Sequence, residues 1–198
     1  MLGLKGMKRK ALICSSCLIL FSITGCGAFR KYDSTTLRLS KDDGITQYIV
    51  EDFDTSLYDF DDLIADMQRQ IDECNEGSQK VTLKDYELSE DQKAYVTLEY
   101  EDDNAYYDLN GYPIFYGTCL EGANAGYNPV SKAKSTQNEE YLDSVTFDNM
   151  SDKYKLLVLH EATCISTSSN ILYVSEGVTL INDKMASTDS DEIAYIIF

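Results

Sequence analysis

The chain has 198 residues, with 34 acidic and 17 basic side chains, a formal net charge of −17 and a pI near 4.3. This length suits one domain, and a 43% hydrophobic content with 15 tyrosines and 7 phenylalanines excludes a disordered chain. Two prolines and 11 glycines exclude a collagen-like or low-complexity chain, and the acidity argues against a nucleic acid partner, because phosphates bind basic surfaces.

The first 25 residues have the pattern of a secretory signal. Four basic residues between positions 5 and 10 precede an apolar run over residues 11–23. A transmembrane helix needs about 20 apolar residues, so the run predicts a cleaved signal rather than a membrane span. Cys14 and Cys17 lie within this run and would be removed with it.

The signal ends in Ile23-Thr24-Gly25-Cys26, which resembles the cleavage site of bacterial lipoproteins, with Ile23 where leucine is usual. The resemblance implies removal of residues 1–25, a diacylglyceryl group on Cys26, and acylation of the new amino terminus, for example by palmitate. It places the protein on the extracytoplasmic face of the cell membrane. Two acyl chains anchor stably, since each buried CH₂ contributes about 0.8 kcal/mol. An ordinary secretory signal with an incidental Cys26 is the alternative.

Residues 26–36 are predicted to form the lipidated end and a tether, and residues 37–198 a single domain. Cleavage before Cys26 removes four basic residues and no acidic one, so the net charge of −17 becomes −21. We expect anionic headgroups to repel this domain. Arg30 and Lys31 are too few for a polybasic membrane site.

Two β-hairpins are predicted in the first half of the domain. Strand-like runs over residues 35–40 and 45–53 flank Asp43-Gly44, which is a strong hairpin signal. Residues 81–88 and 94–101 form the second pair, and the latter alternates apolar with polar or aromatic side chains.

A long helix is predicted between these hairpins, over about residues 56–74. Ser56 and Asp59 resemble an N-terminal capping box, and Asn75 with Gly77 predicts the end. Apolar residues recur every three or four positions and predict packing against a sheet. These residues are Leu57, Phe60, Ile64, Met67, Ile71 and Cys74.

A short helix over about residues 103–110 and a strand over residues 112–120 precede an aperiodic stretch, residues 121–138, which we predict to be a loop. Tyrosine is enriched here, and its flat apolar ring with a polar tip suits recognition of proteins, peptides or glycans. Residues 104–130 are therefore the predicted recognition surface, although strand-edge and core positions would also explain the tyrosines. They are Tyr106, Tyr107, Tyr112, Tyr116 and Tyr127.

The last third predicts strands over residues 155–165, 171–175, 178–181 and 193–198. No repeat and no second domain boundary is visible. The predicted fold class is α+β, a mainly antiparallel β-sheet with the long helix on one face and one short helix.

The chain resembles small uncharacterised lipoproteins of low-GC Gram-positive bacteria. Besides the signal, the resemblance rests on Asp43-Gly44-Ile45, on Ile49-Val50-Glu51-Asp52-Phe53 and on Ala194-Tyr195-Ile196-Ile197. It supports the predicted location and implies no catalytic residue.

No catalytic, cofactor-binding or metal-ligating constellation is evident. His160 is the only histidine, so His160-Glu161-Ala162-Thr163-Cys164 cannot supply the two histidines of a zinc-protease helix, and a strand position is the default. Gly122 and Gly126 lack the lysine of a phosphate loop and are assigned to a loop.

Three cysteines would remain besides Cys26, and an odd number cannot pair completely. Cys119 and Cys164 both lie in predicted strands, so a disulfide between them and three buried thiols, including Cys74, stay open as alternatives.

An acidic cluster surrounds the start of the long helix. Complementing the helix dipole explains it, and a calcium site is the alternative, although an EF-hand spacing is absent. The cluster comprises Glu51, Asp52, Asp54, Asp59, Asp61 and Asp62.

We expect a non-enzymatic binding domain. A glycan hydrolase that uses paired carboxylates and a calcium-dependent accessory lipoprotein are the alternatives.

Overall fold

The computed structural model describes residues 32–198, and Cys26 with the predicted signal and most of the tether lies outside them. The described part confirms the α+β class with a mainly antiparallel strand arrangement and few helices. Its helices are α1 (Phe60–Cys74), α2 (Asp103–Asn110), α3 (Cys119–Asn124) and α4 (Ser144–Met150). Its strands are β1 (Thr36–Leu39), β2 (Ile45–Asp52), β3 (Val81–Leu88), β4 (Lys93–Tyr100), β5 (Ile114–Thr118), β6 (Ala133–Ser135), β7 (Lys155–Leu159), β8 (Cys164–Ser166), β9 (Tyr173–Ser175), β10 (Val178–Asn182), β11 (Met185–Thr188) and β12 (Ala194–Ile197).

Helix α1 begins four residues later than predicted. Asp59 is the N-cap, and its Oδ1 atom accepts hydrogen bonds from the first-turn amides of Asp61 (2.9 Å) and Asp62 (3.3 Å). Ser56 instead donates from its N–H and its hydroxyl to Asp54, which forms a separate turn before the helix. The predicted capping box is therefore wrong, because Asp59 itself supplies the capping oxygen.

The predicted apolar stripe of α1 packs on the core, except at its first position. Leu57 precedes the helix and is 71% exposed, whereas the other five members contact the main core cluster. The predicted end is confirmed. Asn75 is the C-cap, and its side chain accepts hydrogen bonds from Lys80 N–H (2.8 Å) and Val81 N–H (2.9 Å), which ties the end of α1 to the start of β3.

The strands form two sheets rather than the single one expected. A seven-stranded sheet has the order β10-β11-β8-β1-β2-β4-β3, and a five-stranded sheet has the order β5-β7-β12-β9-β6. Within the described residues, β1 and β8 are the only parallel pair. The predicted strand over residues 155–165 breaks after Leu159, so β7 joins the smaller sheet and β8 the larger one. At the break, the Glu161 carbonyl accepts a hydrogen bond from the Thr188 hydroxyl (2.6 Å).

The five-stranded sheet is buried on both faces. In β7, Leu157 and Leu159 belong to the core shared with the seven-stranded sheet, and Leu156 and Val158 belong to a second core with α3 and α4. Strand β12 alternates between the two cores in the same way. A strand buried on both sides has no polar face, which explains its continuous apolar sequence.

Two short helices, α3 and α4, were not predicted. The predicted strand over residues 112–120 ends at Thr118, which forms a capping box with Glu121 and starts α3. Gly122 thus lies in a helix and not in a loop. An added Cβ there would come within 2.5 Å of the Leu156 side chain, so glycine permits the close approach of α3 to β7.

Candidate interaction surfaces

The five tyrosines of the predicted recognition surface divide between core and solvent. Tyr106 is fully buried, and its hydroxyl donates to Glu161 (2.8 Å). Tyr116 is also buried and donates to the Ser40 carbonyl, while the half-buried Tyr127 packs on Phe115. The remaining two, Tyr107 and Tyr112, are exposed, at 50% and 41%.

The edge of the smaller sheet within residues 104–130 is closed by two carboxylates. Asp103 accepts a hydrogen bond from the outward amide of Tyr116 (3.1 Å), and Glu121 accepts one from the amide of Thr118 (2.7 Å). Burial raises the pKa of Asp103, while the hydrogen bonds from Thr118 lower that of Glu121. Strand β5 is thereby protected against pairing with another chain.

Buried polar contacts link α2 to the seven-stranded sheet and to the crossover between β7 and β8. The Tyr100 hydroxyl donates to Gln47 (2.6 Å) and accepts from Asn110 (3.1 Å), and the Tyr100 and Tyr106 rings pack edge to face. Burial raises the pKa of Tyr100, Tyr106 and Glu161. Each of these groups already has a hydrogen-bond partner within the fold, Gln47 and Asn110 for Tyr100 and the Tyr106–Glu161 pair for the other two, so they serve the structure.

The described surface carries a groove of about 650 Å³ where edges of the two sheets meet. This volume is in the range of ligand sites. We call it the edge groove, and three segments line it. They are Lys132, Lys134, Ser135, Thr136, Glu139 and Tyr141; Val174 and Ser175 of β9; and Glu176, Val178 and Leu180 at the start of β10.

The edge groove is locally balanced in charge, although the whole molecule is strongly acidic. Its charged lining residues are two lysines, Lys132 and Lys134, and two glutamates, Glu139 and Glu176. The Lys134 ammonium lies 4.8 Å from the ring centre of Tyr141, which is 59% exposed. An aromatic ring with polar and charged neighbours can contact peptides or sugars. The sequence prediction missed this groove, because its walls come from strands separated by about forty residues of chain.

Cys119 forms no disulfide, which excludes the predicted alternative of a Cys119–Cys164 bond in this structure. Cys119 and Cys164 are buried, and Cys74 is half-buried. Burial raises the pKa of Cys119 to about 12, so this thiol is a poor nucleophile.

Side chains singled out for possible chemistry are not assembled into a site. His160 is exposed and follows β7 instead of lying in a strand. In the acidic cluster, Asp54 and Asp59 bind backbone amides, and Asp52 pairs with Lys93 (2.8 Å). Over residues 32–198, no group of three or more histidine, cysteine or acidic side chains is placed to hold a metal ion.

No protein-family model, curated protein or solved structure matches the chain. Within the described range, no helix is long and apolar enough to cross a membrane.

Proposed function

We propose that this chain is a lipid-anchored lipoprotein on the extracytoplasmic face of the cell membrane. Its domain binds a protein, peptide or glycan without chemical turnover. The edge groove is the observation that carries the binding role, because it is concave, polar and aromatic, and open to solvent. The signal ending at Cys26 is what supports the anchor.

The positions of the acidic side chains with a raised pKa favour binding over glycan hydrolysis. Hydrolysis requires two carboxylates flanking the sugar, one of them with a raised pKa. The groove does contain Glu139 and Glu176, which keeps a hydrolase as the second candidate. However, the carboxylates with a pKa raised by burial, Asp103 and Glu161, accept hydrogen bonds from Tyr116 and Tyr106 in other parts of the fold.

The anchor is tested by replacing Cys26→Ser in the full chain and measuring its distribution between membrane and soluble fractions. We expect the wild type in the membrane fraction and the variant released, because it cannot accept the acyl chains. Cys74→Ser, which keeps Cys26, is the matched control and should remain with the membrane. Tight retention of the Cys26→Ser variant would contradict lipid anchoring.

A further inference from the structure

We propose that the edge groove takes an extended polypeptide segment, which adds as a strand to β10. This inference rests on the proposed binding function and names its ligand class. The main-chain groups of Val178 and Leu180 form hydrogen bonds with the added segment, and the groove receives the side chains of that segment.

The hydrogen-bonding pattern shows which main-chain groups of β10 point outward. Thr188 donates its amide to Thr163, away from β10, while Asp189 donates to Gly177. In an antiparallel ladder, hydrogen-bonded and non-hydrogen-bonded pairs alternate. Val178, opposite Thr188, is therefore in a non-hydrogen-bonded pair, and so is Leu180, opposite Ala186. Their N–H and C=O groups point away from β11, on the free side of the strand.

The other three sheet edges in the described part of the chain are closed. Carboxylates occupy the outward amides of β5, as described above. The outer side of β6 pairs with residues 140–142, through Ser135 N–H to the Glu140 carbonyl (2.9 Å) and Leu142 N–H to the Ala133 carbonyl (2.9 Å). Strand β3 carries Lys84, which lies at a bulge, and two acidic side chains after it, Asp85 and Glu87. Charged side chains and bulges are the usual protection of an edge.

Strand β10 lacks this protection along its first part. Its sequence, Val-Thr-Leu-Ile-Asn, has no charge, and its bulge comes only after Leu180. Leu180 is 39% exposed and shares a sheet face with the buried Ala186. An added strand would therefore place alternate apolar side chains beside Leu180. The balanced charge of the groove removes the repulsion that an acidic segment would meet elsewhere on this molecule.

The probe is a phage-displayed library of random octapeptides, selected against the purified full-length chain in detergent micelles. Enriched peptides are synthesised and titrated against wild type, Leu180→Pro and Leu180→Ala. Proline removes an outward N–H that β11 does not use, whereas alanine keeps the N–H and loses only side-chain contact. We expect about a tenfold loss of affinity for Leu180→Pro, and at most about threefold for Leu180→Ala.

Amide hydrogen exchange of the wild type supplies a readout that does not depend on the folding of a variant. The peptide should slow exchange at Val178 and Leu180, while Thr179, which already pairs with β11, should be unchanged. Peptides that bind Leu180→Pro normally but lose affinity for Tyr141→Ala would overturn strand addition and leave groove binding intact. Failure to enrich any peptide sensitive to either change would overturn the inference in full.

Discussion

The pairing of Tyr106 with Glu161 is the clearest residue-level determinant of how α2 is held. The tyrosine is fully buried in the core, and its hydroxyl donates to a carboxylate at the point where β7 and β8 separate into different sheets. The carboxylate is removed from water, which raises its pKa above the ordinary glutamate value. A single hydrogen bond therefore joins α2 to the crossover between the sheets. The contribution of Glu161 to stability depends on pH.

Glu161→Gln should remove that pH dependence while keeping an oxygen that can accept from Tyr106. Because the native pKa of Glu161 is raised, the unfolded chain releases this proton first as the pH rises. The stabilisation is fully present below the ordinary glutamate pKa and is lost as the pH rises toward the native value. We therefore expect the unfolding free energy of the variant, relative to wild type, to increase as the pH rises from the ordinary glutamate pKa toward the native pKa of Glu161.

Urea denaturation at a series of pH values measures this difference, with the exposed Glu192→Gln as the control for loss of one charge. A difference between Glu161→Gln and wild type that stays constant with pH would contradict the assignment.

Individual tyrosines were the hardest positions to place from sequence. Tyr106 and Tyr107 are adjacent in α2, yet one is fully buried and the other is 50% exposed. A tyrosine fits either environment, because its ring is apolar and its hydroxyl is polar. Only the position of α2 against Tyr100 and Glu161 decides between them.

At the scale of elements, the sheet edges differ in how well they are protected against pairing with another chain. Among the four edges of the described sheets, β5 is capped by Asp103 and Glu121, whereas β10 presents uncharged main chain beside the edge groove. The two carboxylates occupy amides that would otherwise be donors for a second chain. Besides forming local hydrogen bonds, the two carboxylates therefore protect the edge of β5 against pairing.

Replacing both Asp103→Ala and Glu121→Ala should open the edge of β5. We expect self-association that grows with protein concentration, detected by sedimentation velocity below the melting temperature, since the freed amides can pair with another copy. The double variant Asp108→Ala and Asp148→Ala loses the same charge from α2 and α4 and should stay at the wild-type sedimentation coefficient. Equal behaviour of the two double variants would contradict edge protection.

Elements with strong local signals were predicted well, and those set by tertiary contacts were not. The Asp43-Gly44 hairpin and the apolar period of α1 depend on neighbours in sequence, so their existence could be predicted from sequence. Distant partners determine three features that were not predicted. These are the division of residues 155–165 between two sheets, strand β11, and the helices α3 and α4. Gly122, for example, lies in a helix that packs closely against Leu156 of β7, a contact that no local pattern indicates.

At the scale of the whole molecule, charge and shape support different parts of the account. If the proposed signal is cleaved before Cys26, the loss of four basic residues changes the net charge from −17 to −21, and we expect anionic lipid to repel such a domain. Attachment would then depend on the proposed lipid on Cys26. The edge groove, with two lysines and two glutamates, is balanced within this acidic surface. The groove joins segments far apart in sequence, so no local motif predicted it.

Site-specific photocrosslinking in intact cells tests the central claim most directly. A photoreactive phenylalanine analogue at Tyr141 probes the edge groove, and the same analogue at Tyr107, a similarly exposed tyrosine of the 104–130 surface, is the matched control. We expect a discrete adduct from position 141, identified by mass spectrometry, and none from position 107. No adduct from position 141, or adducts from position 107 alone, would contradict the edge groove as the binding site.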